Sequence, residues 1–188
     1  MRGRAFFANL GHSRKQGIEA GLDGQRGPWR LHVDYAFTDA RFRDAFTASS
    51  PANPFADDDG TMAVDHGDRL PGIPRHAANA SLGYIGDRWS VTGSARYRGP
   101  QVYTGDEANA APRLPGYVVF DATARITLRP GIELTGEIRN LFDKRYATLG
   151  AFGEIDDIAL VEAPGASDPR FLAPAAPRRA SIALAVRF

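Results

Sequence analysis

Alternation of apolar and polar residues constrains the fold of this chain more than any other feature. The terminal stretch ASIALAVRF is apolar at every second position: Ile182, Leu184, Val186 and Phe188. Such alternation predicts a β-strand with one apolar and one polar face. Seven segments, including this one, show the same alternation: 16–24, 28–38, 77–85, 88–98, 117–128, 131–139 and 178–188. Helical periodicity is nearly absent, so we predict an all-β fold of about seven antiparallel strands.

The connections between these segments alternate in length. Three are tight turns supplied with Gly, Pro or Asp: 24–28, 86–87 and 129–131. Three are long: 39–76, 99–116 and 140–177. Loops of that length are uncommon in a compact domain and indicate function or disorder. Short turns at one end of the strands and long loops at the other are typical of an outer-membrane β-barrel.

Strand length and the two strand faces favour a transmembrane barrel over a soluble β-sandwich. Several strands run to 9–12 residues, close to the roughly 9–11 of a tilted membrane strand and above the globular mean of about 5–6. The polar face carries Arg, Asp and Glu, which suits a water-filled lumen. Aromatic residues on the apolar face fall near both strand ends, as two interfacial girdles would require: Trp29, Tyr84 and Trp89 near the short turns, and Phe37, Tyr97 and Phe120 near the long loops.

Composition and motif content exclude several other classes of function. Lys and Arg number 23 and Asp and Glu 22, a balance that argues against a dedicated nucleic-acid binder. The chain has no cysteine, and therefore no disulfide or thiolate metal site. It contains no G-x-S-x-G, P-loop or H-E-x-x-H motif. We expect no enzyme activity, no cofactor and no metal centre.

One acidic stretch leaves an alternative open. The segment FADDDGTMAVDHGD (55–68) contains five Asp residues, and carboxylates are the ligands that Ca²⁺ prefers. Its spacing does not match an EF-hand loop. A solvated loop without bound calcium is the simpler interpretation.

Several sequence motifs resemble one known family. They are SRKQGIEAGLDG (13–24), GDRLPGIPRHAANASLGY (67–84), LPGYVVFDATARI (114–126), EIRNLFDKRYAT (137–148) and PRRASIALAVRF (177–188). Together, and in this order, they resemble the C-terminal barrel of TonB-dependent outer-membrane receptors. The resemblance covers almost the whole chain, and RNLFDKRY with the terminal aromatic strand is its most specific part.

The resemblance implies a fold, a function and a set of partners. Members of that family form a barrel of about 22 strands around an N-terminal plug. They take up ferric siderophores, cobalamin, heme or some sugars with energy from the TonB–ExbB–ExbD system. The segment RLPGIPRH resembles the siderophore and ferric-citrate branch. The expected partners are outer-membrane lipid, a ferric chelate and the barrel assembly machinery, which would read Phe188 as its signal.

The chain also departs from the family pattern. No secretion signal, plug or TonB box is recognisable, and seven strands are too few to close a barrel, because single-chain bacterial barrels start at about eight. We therefore expect residues 1–188 to be the C-terminal part of a receptor barrel that does not transport alone. A porin-like barrel without TonB and a soluble β-sandwich binding module remain alternatives.

Candidate ligand contacts come from basic and aromatic residues near the long loops. Recognition of an anionic ferric chelate by arginine predicts a role for Arg75, Arg98 and Arg113. Three aromatic side chains are candidates beside them: Tyr103, Tyr117 and Phe152. The alternatives are packing within the loops for the aromatics and, for lumen arginines, ion pairs on neighbouring strands. Those pairs would join Arg96, Arg98, Arg125 and Arg139 to Asp121, Glu133 and Glu137.

Overall fold

A computed structural model of the protein describes residues 11–155, 165 and 167–187. These residues form eleven strands: β1 Ser13–Arg26, β2 Trp29–Phe42, β3 Phe46–Ser49, β4 Thr61–Val64, β5 His76–Ile85, β6 Trp89–Arg98, β7 Tyr117–Arg129, β8 Ile132–Arg139, β9 Ala147–Phe152, β10 Arg170–Pro174 and β11 Arg179–Val186. A helix long and apolar enough to span a membrane is not found in this part of the chain.

Seven strands form one antiparallel sheet in the order β1-β2-β5-β6-β7-β8-β11. They coincide with the seven segments that alternation predicts, so the all-β antiparallel fold is confirmed. The sheet is open, with β1 and β11 at its edges. The longest pairing joins β1 to β2 without a break from Ser13↔Phe42 to Arg26↔Trp29.

Register keeps the two faces of the sheet chemically distinct. Ile18 pairs with Phe37, and Leu22 pairs with Val33, so apolar residues meet apolar residues across strands. This face is bare: Ile18 is 68% exposed. A sheet inside a globular protein would cover such residues with a second layer.

The polar face carries the ion pairs predicted between neighbouring strands. Arg96 Nη2 lies 4.0 Å from Asp121 Oδ2, and Arg125 Nε lies 3.0 Å from Glu133 Oε1. Arg139 differs in detail, because its Nε pairs at 2.6 Å with Glu137 on the same strand.

Aromatic side chains gather at both ends of the apolar face, as predicted. At the short-turn end, Trp29 and Tyr84 meet edge to face at 5.1 Å between ring centroids, and Trp89 stacks on Tyr84 at 4.9 Å. At the long-loop end, Phe120 meets Phe142 edge to face at 5.3 Å. Amphipathic and aromatic rings at two levels are the pattern of a membrane-spanning β-sheet.

The long connections contain structure that alternation did not reveal. Strands β3 and β4 pair as a hairpin inside the first long connection, and β9 and β10 pair inside the third. The buried apolar cluster of the described chain lies where the end of β2 meets the β3–β4 hairpin: Phe42, Ala48 and Val64, with Phe46, Leu70 and Ala108 against it. The long loops, with the end of β2, therefore supply the packed core of the described chain.

Two glycines in the sheet should respond oppositely to alanine. A Cβ on Gly17 would lie 2.1 Å from the carbonyl oxygen of Phe37, whereas one on Gly93 meets no atom of the described residues within 4 Å. We expect Gly17→Ala to lower the free energy of unfolding by about 1–3 kcal/mol because backbone must shift. Gly93→Ala should raise it by about 0.5–1 kcal/mol. Urea unfolding of the membrane-inserted protein measures both, and equal shifts would contradict the register.

Candidate functional site

The three long loops meet at the segment that follows β6. The backbone N–H of Gly72, from the first loop, donates to the carbonyl of Val102 at 3.0 Å. From the third loop, the carbonyl of Gly150 accepts from Thr104 N–H at 3.0 Å, and Phe152 N–H donates to the Thr104 carbonyl at 2.8 Å. The short stretch 102–104 therefore joins all three loops through backbone hydrogen bonds.

A buried polar cluster locks the first loop onto the second. Asp106 is 1% exposed and accepts hydrogen bonds from the N–H groups of residues 110–111 at 2.9 and 3.2 Å, and from Asn53 Nδ2 at 3.3 Å. Ser50 Oγ and Asn53 Nδ2 also donate to the Gly105 carbonyl, at 2.6 and 2.8 Å. Burial raises the pKa of Asp106, although the hydrogen bonds it accepts act in the opposite direction.

The RNLFDKRY motif closes the turn after β8. Asn140 is buried with a φ of 53°, a left-handed conformation that Asn tolerates better than most residues. Its side chain accepts from Lys144 N–H at 2.8 Å and donates to the carbonyls of Lys144 and Ala176 at 2.9 and 3.2 Å. Asp143 accepts from Arg178 N–H at 2.8 Å. The motif thus ties the turn to the segment that enters β11.

An arginine-lined cleft of about 430 Å³ lies on the polar face beneath these loops. Four guanidinium groups line it, against the one carboxylate of Asp121: Arg96, Arg98, Arg139 and Arg179. Arg139 and Arg179 are directly paired across β8 and β11, so they share a face. Tyr117 and Tyr146 line the same cleft with ring centroids 4.2 Å apart. The cleft combines excess positive charge with two aromatic rings.

A second cavity of about 520 Å³ lies between the second and third loops and shares Tyr146 with the cleft. Tyr103 lines it, and its ring packs against Phe152 at 5.2 Å between centroids. Asp168 and Arg170 stand at this cavity as an ion pair. The hydrogen bonds that Arg170 donates lower the pKa of Asp168 to about 2.

Four of the six predicted contact residues lie at or beside the cleft and the second cavity, and the other two, Arg75 and Arg113, do not. Arg98 and Tyr117 line the cleft, Tyr103 lines the second cavity, and Phe152 packs behind Tyr103. Arg75 lies apart from both, with its guanidinium carbon 5.1 Å from the centroid of the Phe37 ring on the apolar face.

Arg113 lies near Arg69 and not at the cleft; burial and then the charge of Arg113 lower the pKa of Arg69. The predicted assembly signal, Phe188, lies outside the described residues.

Sequence reasoning missed three residues of the site: Asn140, Tyr146 and Arg179. Only Arg179 carried a usable signal, because alternation along β11 assigns it to the polar face.

Metal-ligating groups do not converge within the described ranges, where no three His, Asp or Glu side chains stand close enough to hold an ion. The acidic stretch 55–68 uses carboxylates in local turns instead. Asp59 accepts from the backbone and hydroxyl of Thr61 at 3.0 and 2.7 Å, and Asp68 accepts from Asp65 N–H at 2.8 Å. These contacts favour the interpretation as a polar loop.

Comparison with known proteins identifies the family. The model of the family described as "TonB dependent receptor-like, beta-barrel" matches residues 2–141. The chain belongs to this TonB-dependent receptor family. The resemblance stated from the motifs is therefore confirmed, over three quarters of the sequence.

Individual relatives agree with this assignment. The chain is 30% identical over 143 residues to the probable TonB-dependent siderophore receptor PiuA of Acinetobacter baumannii, covering 76% of this chain and 18% of that protein. The crystal structure of that bacterium's siderophore receptor PiuA superposes with a TM-score of 0.66 at 24% identity, over 94% of this chain and 22% of the other.

The ferric yersiniabactin uptake receptor FyuA of Yersinia pestis gives a TM-score of 0.67 at 18% identity, over 94% of this chain and 24% of that one. At these identities, the structural similarities establish the fold alone. This TonB-dependent receptor chain spans less than a quarter of the length of the relatives it matches.

Replacing Asp106 by Ala should release the loops from one another. The variant removes the buried acceptor of the N–H groups of residues 110–111 and the longer of the two hydrogen bonds from Asn53 Nδ2, which keeps the Gly105 carbonyl. A buried group left unsatisfied costs about 1–3 kcal/mol. We expect faster hydrogen exchange in 50–61 and 101–111, measured by mass spectrometry on the folded protein. Asp58→Ala, on the exposed tip of the first loop, is the matched control. Unchanged exchange in both loops would contradict the assigned role of Asp106.

Proposed function

We propose that this chain forms part of the wall and extracellular loops of an outer-membrane receptor that takes up ferric siderophores or similar iron chelates. The observation that carries the proposal is the arginine-lined cleft on the polar face, directly below the joined loops. The names of the relatives agree with such a ligand, since PiuA is described as a siderophore receptor and FyuA as a receptor for ferric yersiniabactin.

The charge of the cleft suits an anionic chelate. Four guanidinium groups line the cleft, and Asp121 is the carboxylate among its lining residues, which accepts Asn140 N–H at 2.7 Å and lies 4.0 Å from Arg96. Arg139 is paired with Glu137 at 2.6 Å, so positive charge remains in excess mainly through Arg98 and Arg179. Planar guanidinium groups bind carboxylate oxygens in pairs, with directional and charge-assisted hydrogen bonds. The rings of Tyr117 and Tyr146 add flat apolar surface for an aromatic part of the chelate. Binding of this kind needs no catalytic group.

Uptake in our proposal depends on parts of the receptor beyond this sheet. Each outer strand of the described sheet pairs on one side only, and an unpaired backbone group in lipid costs several kcal/mol. Further strands would pair with β1 and β11, and we propose residues 1–188 as the C-terminal part of the barrel domain. A plug domain would receive energy from TonB–ExbB–ExbD, and Phe188 would serve the barrel assembly machinery.

Substitutions in the cleft test the assigned ligand class. We expect Arg98→Gln and Arg179→Gln each to weaken binding of an anionic ferric chelate by about 10–100-fold, because a charge-assisted hydrogen bond is lost. Uncharged chelates should lose little. The measurement is tryptophan fluorescence titration of the receptor with ferric citrate, a ferric catecholate and an uncharged ferric hydroxamate.

The matched control is Arg129→Gln, which removes an exposed charge at the end of β7 away from the loops. Its affinity for every chelate should stay within about twofold of the unmodified receptor, since surface charges contribute little. The proposal would be contradicted if both cleft variants bound all three chelates with the same affinity as the unmodified receptor. Uptake of radioactive iron that persists in cells lacking TonB would favour the alternative, a passive porin-like barrel.

A further inference from the structure

The two neighbouring cleft arginines, Arg139 and Arg179, form the last pair of their strand ladder. Pairing between β8 and β11 begins at Val186↔Ile132 and ends at Arg179↔Arg139. Like charges directly opposite each other on neighbouring strands repel, and the end of a ladder frays most easily. Contacts outside the sheet are therefore needed to keep both guanidinium groups at the cleft.

Two side chains of the turn after β8 hold the segment that leads into β11. Asn140 Nδ2 donates to the carbonyl of Ala176 at 3.2 Å, and Asp143 Oδ1 accepts from the N–H of Arg178 at 2.8 Å. Residues 176–178 lie outside any strand. These hydrogen bonds therefore set the direction in which the chain enters β11.

The side chain of Asn140 acts on the cleft through other residues. Asn140 is buried, and its Nδ2 donates to the carbonyls of Lys144 and Ala176 while its Oδ1 accepts from Lys144 N–H. A side-chain amide has two N–H donors, and both are used inside the protein. Asn140 thus lines the cleft without a donor left over for an anion.

The backbone of the same residue holds the carboxylate of the cleft. Asn140 N–H donates to Asp121 Oδ1 at 2.7 Å, whereas Asp121 Oδ2 lies 4.0 Å from Arg96 Nη2. The second distance is too long for a hydrogen bond. The Arg96 guanidinium therefore keeps its donors toward Asp121 available for an anion in the cleft.

Arg179 is the arginine whose orientation depends most on this turn. Arg139 is paired with Glu137 at 2.6 Å, but Arg179 forms no ion pair within the described ranges. A guanidinium group donates two parallel hydrogen bonds to a carboxylate only when the two planes are aligned. The chain direction just before Arg179 decides whether that alignment is available.

We propose that Asn140 is a positioning residue that sets the affinity of the cleft for anionic chelates. Its backbone N–H holds Asp121 away from Arg96, and its side chain, with Asp143, orients Arg179 for a paired contact with an anionic oxygen ligand. The inference rests on the proposed function and gives the RNLFDKRY motif a role within it.

Exchange of asparagine for glycine tests this role and has a matched control in the same chain. Asn140→Gly keeps the left-handed backbone, which glycine adopts readily, and keeps the N–H that binds Asp121. It removes only the side-chain amide. Asn109→Gly removes the same group at another left-handed position, with a φ of 57°, where the amide binds the backbone of Arg69 and Glu107 away from the cleft.

Both variants of the receptor are purified from outer membranes and titrated with ferric citrate and with an uncharged ferric hydroxamate. We expect Asn140→Gly to bind ferric citrate about tenfold more weakly, because the paired contact with Arg179 is lost. Binding of the hydroxamate should stay within about twofold, and Asn109→Gly should change neither affinity by more than about twofold. Hydrogen exchange in 176–180 should become faster in Asn140→Gly alone.

A second pair of variants decides the question if Asn140→Gly does not fold. Asp143→Gly keeps a left-handed backbone, with a φ of 52°, and removes the acceptor for Arg178 N–H. Asp143→Asn keeps an oxygen acceptor at that place. We expect about fivefold weaker binding of ferric citrate by Asp143→Gly and an affinity within about twofold of the unmodified receptor for Asp143→Asn.

The inference would be overturned if Asn140→Gly bound ferric citrate as the unmodified receptor does. Equal weakening of both chelates would also overturn it, since a merely structural role predicts that result, and so would equal losses in Asp143→Gly and Asp143→Asn. Weakened binding in Arg179→Gln but not in Asn140→Gly would refute this inference and leave the proposed function standing. Unchanged binding in Arg179→Gln as well would contradict both.

Discussion

An apolar sheet face with no protein layer to cover it is the constraint on which the rest of this structure depends. Hydrogen bonds between the seven strands satisfy the backbone, but residues such as Ile182, which is 80% exposed, have no packing partner within the described chain. Exposed apolar area is unfavourable in water at roughly 25 cal/mol per Å². Lipid removes that cost, and the aromatic groups at both ends of the face mark where lipid would meet water.

The same constraint explains where the core and the cleft lie. Because one face of the sheet is apolar and uncovered and the other is polar, close packing is confined to the long-loop end, where Phe42 of β2 and Val64 of β4 lie in one buried cluster. Hydrogen bonds around residues 102–106 then hold three loops over the lumen. Register across β8 and β11 sets Arg139 opposite Arg179, which places two of the four cleft arginines side by side.

Alternation made the sheet and its faces predictable from sequence, because a long strand repeats its signal many times. The hairpin of β3 and β4 was not predictable in this way, since four-residue strands hold only two residues per face. Nor was the distribution of the candidate arginines. Arg75 lies in a bend just before β5, and Arg98 is the last residue of β6. Both are near the long loops in sequence, but their side chains reach opposite faces of the sheet. The hydrogen bonds of the Asn140 side chain depend on a left-handed backbone conformation at this residue. The residue types of the motif did not predict that conformation.

Labelling of adjacent residues on β5 tests the central claim most directly. The chain has no cysteine, so Ser81→Cys and Leu82→Cys each provide a single site for an environment-sensitive fluorophore on the membrane-inserted protein. The two faces predict that the label at Leu82 is quenched by nitroxide attached to lipid chains. The label at Ser81 should instead be quenched by a water-soluble nitroxide. Equal quenching of both labels by the water-soluble reagent would contradict the account.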